Sequence, residues 1–161
     1  MRRTSVLRLL VVAALATNLA YLVLRLAESQ GATIAAIPVL AALVVLVIAG
    51  VVLGFGWSVR QYVRGKRPGM DPLLAARTVV LAKAGAWTGA LLSGWYAGHL
   101  VLGLGDLEIA ARRDLAASAG FALACTVALA VVGRVVERWC VVPPPADDDD
   151  APNGASPAGA A

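Results

Sequence analysis

The sequence predicts an all-α fold, an integral membrane bundle of four transmembrane helices. Of 161 residues, 60% are hydrophobic and only 15% are charged, and the mean hydropathy is +0.78. That is too apolar for an ordinary soluble domain and too short for a large transporter. Four apolar runs, measured against the 20 or so residues that suffice to cross a hydrocarbon core roughly 30 Å thick, place the spans at about residues 9–25, 33–59, 73–102 and 115–137. The formal charge of +4 is no sign of nucleic acid. The basic residues form no continuous face and sit mostly beside the apolar runs, where they set orientation.

The first span follows Arg2, Arg3 and Arg8 and is interrupted only by Thr17 and Asn18. Its basic start and Ala14-Leu15-Ala16 are what a signal peptide carries, but apolar residues continue through Leu24, which favours a retained span. A short polar turn leads to the second span, rich in valine, with Pro38 near its start and Gly50 and Gly54 spaced for close helix approach. The loop that follows carries Arg60, Arg64, Lys66 and Arg67 before Pro68-Gly69. Pro72 opens the third span at the position where proline forfeits no hydrogen bond, and Asp71 can cap it. On this helix Gly85, Gly89, Ala90, Gly94 and Gly98 make a small-residue face that predicts contact with protein, while Leu81, Leu91, Leu92 and Trp95 cover a face that predicts contact with lipid. The fourth span has Gly120, Ala124 and Ala128 along one ridge. Residues 143–161, rich in proline, alanine and aspartate, cannot bury enough apolar surface to fold and predict a disordered cytoplasmic tail.

Candidate chemistry is sparse. Lys83 and His99 are the ionisable side chains between Thr78 and Leu102. Two readings fit Lys83: its ammonium snorkels back to the interface, or it points into the bundle toward Asn18 and Thr126 as an intramembrane polar site. Arg77, nearer the helix start, reads as an interfacial anchor. No Asp or Glu lies inside a span, which weakens a proton-coupled transporter. Cys125 and Cys140 read as packing residues, and Asp147 to Asp150 as an unfolded acidic run. One histidine gives no His/Cys cluster at metal spacing and no nucleophile triad. The expectation is no catalytic residue, no cofactor and no metal.

The run Asp71-Pro72-Leu73-Leu74-Ala75-Ala76-Arg77, the helix from Lys83 that ends in Gly94-Trp95-Tyr96-Ala97-Gly98, and the exit from Gly133 to Pro143 with Glu137 and Cys140 resemble an actinobacterial membrane family, domain of unknown function 3180. The resemblance covers about residues 3–143. It implies an inner-membrane protein often encoded beside folate-biosynthesis enzymes, and it brings no catalytic residues. The function expected is a non-enzymatic scaffold or accessory subunit, in the lipid bilayer and in contact with a second copy or another membrane protein through small-residue faces. The alternative is an oligomeric transporter or channel subunit that attracts an anionic metabolite through Lys83.

Four spans put both termini on one side. Nine basic residues then fall on the terminal side (Arg2, Arg3, Arg8, Arg60, Arg64, Lys66, Arg67, Arg134 and Arg138) against three on the other (Arg25, Arg112 and Arg113), so both termini are expected to be cytoplasmic in a multi-pass cell-membrane protein. Reporters that fluoresce only in the cytoplasm check this. Fusions at the C-terminus should be bright and fusions in the Gly31 and Asp106 loops dark, and the reverse pattern would overturn the orientation.

Overall fold

A backbone in lipid must satisfy its own hydrogen bonds, and long apolar runs without internal proline do so by winding into helices. The computed structural model describes residues 5–63 and 72–139, and among these it contains four long helices and no strand. They are α1 (Val6–Ser29), α2 (Val39–Val63), α3 (Pro72–Gly103) and α4 (Ala110–Trp139), with a 3₁₀ turn at Leu104–Asp106 between the last two. The tail from residue 143, Cys140, Asp71 and the loop arginines and lysine at 64, 66 and 67 lie outside the described residues.

The boundaries show local chemistry at work. α1 starts three residues ahead of the expected span and ends in a Schellman motif: the Ala32 N–H donates to the Ala27 carbonyl at 3.0 Å and the Gly31 N–H to the Glu28 carbonyl at 2.9 Å. Gly31 has φ +80°, a conformation that glycine adopts at no steric cost. The expected start of the second span at residue 33 is too early. Proline disfavours the helical region for the residue before it, so the helix begins only after Pro38, whose carbonyl accepts from the Ala41 N–H at 3.0 Å. α4 begins five residues before its expected span, because charged residues at a helix end can face water without breaking the helix; Arg112 and Arg113 both donate backbone N–H groups to the Ile109 carbonyl.

Three helices are long and apolar enough to cross a membrane: α1, residues 39–61 of α2, and α4. α3, expected as a span of the same kind, does not reach their apolarity. Its position explains this. α3 is the one helix that packs against all three others; α2 touches α4 and α3, and α1 rests on α3. The faces that meet α1 and α4 need small side chains rather than leucine, and there α3 carries Gly89, Gly94 and Gly98, while its other side, with Val80, Leu81, Leu91 and Val101, is exposed.

The contacts fix the topology as up-down-up-down. Leu9 packs on Ala86 and Ala90, and a methyl group at Gly98 would meet Ala20 and Tyr21, so α1 and α3 run parallel. Ala42 packs with Ala122 and Cys125, and Val52 with Val136 and Ala82, so α2 and α4 run together and against α3. The described basic residues at the start of α1, the end of α2, the start of α3 and the end of α4 therefore gather at one end of the bundle. Arg25, Arg112 and Arg113 lie at the other. At the basic end the Trp57 and Trp139 rings meet edge to face with centroids 5.9 Å apart, and the Arg60 guanidinium lies 4.6 Å from the centroid of Trp139 and 5.5 Å from that of Trp57.

Close approach rests on glycine at a few points. A methyl group at Gly89 would stand 2.6 Å from the Ala130 nitrogen, and one at Gly133 would stand 2.6 Å from the Ala82 carbonyl oxygen and from the Ala86 nitrogen. Gly94 and Gly98 meet α1 as closely, and Ala90 is buried. Two expected packing sites behave otherwise. Gly85 has only ordinary contact with Leu129, at 3.7 Å, and Gly50 and Gly54 have nothing within 4 Å. On α2 the buried glycine is Gly56, seated against Val136.

Gly89→Leu and Gly133→Leu should each lower stability by about 1–3 kcal/mol or more, the range for overpacking. Gly50→Leu and Gly54→Leu should leave it within about 0.5 kcal/mol, as exposed positions do. Thermal unfolding of the detergent-solubilised protein, read by circular dichroism, checks this; equal losses at the two pairs would mean that α2 is packed through its other face.

Candidate functional site

Hydroxyl groups in a helix interior find the nearest acceptor in their own preceding turn, and that tendency decides the fate of the polar set here. Thr126 is completely buried, and its hydroxyl lies within hydrogen-bond distance of the Ala122 and Leu123 carbonyls, at 3.1 and 2.9 Å. Ser93 is bound in the same way to Gly89 and Ala90, and Thr17 to Ala13. Asn18 is exposed and donates from its amide to the Ala14 carbonyl at 2.9 Å. Each of these groups is satisfied within its own helix.

Lys83 is exposed. At 100° per residue it shares the face of Ala90 and Gly94, which packs against Leu9, Ala13 and Ala16 of α1 higher up. Leu9 sits at the level of Ala86 and Ala90, so Lys83 lies level with the start of α1. Lys83 is also level with Gly133, which faces Ala82 and Ala86, and hence with Arg134. The lysine thus stands near the basic end, on the bundle surface. Lys83, Asn18 and Thr126, read from the sequence as one candidate site, are not brought together: the first two are exposed, the third is buried, and no hydrogen bond joins them. Arg77 is exposed at the same end, about 9 Å further along the α3 axis by 1.5 Å per residue.

The other singled-out residues are structural in their surroundings. His99 is buried, and its Nδ1 lies 3.1 Å from the Trp95 carbonyl, which makes that nitrogen the protonated one. Its ring lies 5.2 Å from that of Trp95. Cys125 is a buried free thiol packed with Ala42 and Ala122. Among the described residues no three His, Cys, Asp or Glu side chains gather where they could hold a metal ion.

Two ion pairs went unseen in the sequence. Arg112 Nη2 lies 2.6 Å from Glu28 Oε1, which ties the end of α1 to the start of α4, and Arg112 Nη1 donates to the Leu102 carbonyl at 3.3 Å. At the opposite end Arg134 Nη1 lies 3.5 Å from Glu137 Oε2, with Glu137 buried. The second pair is visible in principle as an i,i+3 spacing on α4. The first joins residues far apart in the chain and has no local signal.

A family model described as a protein of unknown function, DUF3180, matches residues 9–144. No curated protein and no solved structure matches the chain.

Lys83→Met should leave expression and thermal stability unchanged, because the exposed ammonium has no ion-pair partner among the described residues and the stem keeps its apolar length. A fall in melting temperature comparable to that of Gly89→Leu would show instead that Lys83 holds the bundle together.

Proposed function

The chain belongs to the DUF3180 family, whose description carries no activity, and from its architecture we propose that it is a non-enzymatic scaffold or accessory subunit of the cell membrane. In this reading α3 is a fourth span, carried across the bilayer by its packing on the other three, and both termini face the cytoplasm. The single observation that supports the role is the face of α2 that bears Gly50 and Gly54. Both glycines are exposed and have nothing within 4 Å, and Leu43, Leu46 and Val47 flank them on the same side, exposed as well.

Small residues four apart cost packing unless a second helix comes close enough to use them, since lipid chains gain nothing from a glycine that they would not gain from a leucine. The other close-approach glycines, at 89, 94, 98 and 133, are occupied by this chain's own helices. The pair on α2 is open to a helix from a second copy or from another membrane protein. The polar groups give no rival support: the hydroxyls are bound within their own helices, and Lys83 lies on the surface away from Thr126. Among the described residues, Lys83 therefore has no polar partners with which to line an anionic-metabolite path. The link to folate biosynthesis rests on family resemblance alone and belongs to the same proposal.

The expected outcome is a separation of stability from function. In a deletion strain, with growth and folate-pathway intermediates measured, Gly50→Leu and Gly54→Leu should fail to complement at normal expression and melting temperature, while Lys83→Met complements fully. In-membrane cross-linking from a cysteine at position 47 should capture a partner helix in the unsubstituted background and lose it with leucine at 50. Full complementation by both glycine variants would overturn the reading; failure of Lys83→Met alone would turn it toward transport.

A further inference from the structure

We propose that the bundle holds one anionic phospholipid, with an acyl chain in the groove between α1 and α4 and the headgroup phosphate on Arg134 and Arg138. α1 and α4 do not pack on each other along their length; each rests on α3. The space left in front of α3 is a groove of about 370 Å³, walled by Leu9 and Ala13 of α1, floored by Ala90 and Ser93 of α3 and closed by Val127 and Val131 of α4. Among its lining residues the only charged ones are Arg134 and Arg138, and both stand at its basic end.

Dimensions and charge agree on the occupant. From Val127 to Arg138 the groove follows eleven residues of α4, about 16 Å at 1.5 Å per residue, which is close to the depth of one leaflet in a hydrocarbon core roughly 30 Å thick. A wall of alkyl groups capped by two guanidinium groups matches a fatty chain capped by a phosphate. The Arg134 guanidinium is also incompletely satisfied. Nη1 reaches Glu137 only at 3.5 Å, and among the described residues Nε has no hydrogen-bond partner. Nε is buried, so a headgroup would meet the Nη groups, and a phosphate oxygen is the acceptor that a planar guanidinium fork binds best. A peptide helix fits less well, because its side chains would fill more than a groove of about 370 Å³ and the charged lining is concentrated at one end.

The test uses the full chain in lipid nanodiscs and in detergent. In native mass spectrometry with equimolar phosphatidylglycerol and phosphatidylcholine, the protein should retain one phosphatidylglycerol with about tenfold preference, equivalent to about 1.4 kcal/mol. The melting temperature should be higher in phosphatidylglycerol nanodiscs than in phosphatidylcholine ones. Arg138→Gln, at an exposed position that leaves folding intact, and Arg134→Gln should each reduce the preference to near unity. Arg113→Gln at the opposite end should not. Val131→Trp, which fills the groove one turn from Arg134 and keeps both arginines, should abolish retention of the bound lipid. Equal retention of the two lipids by the unsubstituted protein would overturn the proposal. So would a preference that survives Arg138→Gln, or retention that survives Val131→Trp.

Discussion

Everything in this bundle depends on how closely α4 can approach α3. Gly89 lies against the Ala130 backbone and Gly133 against the Ala82 and Ala86 backbones, so the two helices exchange glycines at two levels on opposite sides of their interface. In lipid there is little hydrophobic drive to bring helices together, and association depends on dispersion contacts that fall off within an ångström of separation. Glycine at these positions converts a loose side-chain contact into backbone contact. The remaining helices are then placed by what is left of α3: its Gly94 and Gly98 face takes α1, and the edge at Ala82 shares Val52 and Val136 with α2.

The same constraint explains the polar side chains. Thr17, Ser93 and Thr126 could bond across helices, yet each is bound to a carbonyl of its own preceding turn. Packing at backbone distance leaves no room for a bridging side chain, and the intrahelical acceptor is always within reach. Two polar contacts that join distant parts of the chain lie at one end: Glu28 with Arg112, and Ser118 Oγ accepting from the Ile37 N–H at 3.1 Å. The apolar middle is held by shape and the ends by charge. Since α1 is anchored to α3 alone and tied to α4 only near the Glu28 end, the opposite end is where the α1–α4 groove can open beside Arg134 and Arg138.

Much of this was legible in the chain. Long apolar runs, Pro72 at the start of α3 and the polar turns near Gly31 and Asp106 specify four helices, because each signal is local: hydropathy over twenty residues, a missing N–H, a left-handed glycine. The small-residue face of α3 was legible too, through Gly89, Ala90, Gly94 and Gly98. Its lower apolarity, which separates it from the three readily spanning helices, goes with the glycines of the two faces that pack on α1 and α4. The end-to-end segregation of basic residues follows from the alternation of helix direction alone.

Tertiary structure decided which of several equivalent faces would be used. Spacing marks Gly50 and Gly54 as clearly as Gly94 and Gly98, yet the first pair is exposed and Gly56, without a small partner four residues away on that helix, is buried against Val136. Periodicity defines a face but not its neighbour. It places Lys83 on the stripe of Ala90 and Gly94 without saying that the lysine is exposed while those two are buried. The convergence of Lys83, Asn18 and Thr126 likewise depended on rotations about three helix axes, which the sequence leaves free. Those rotations are fixed only when glycine in one helix meets backbone in another, a contact between residues as far apart in the chain as Gly98 and Ala20.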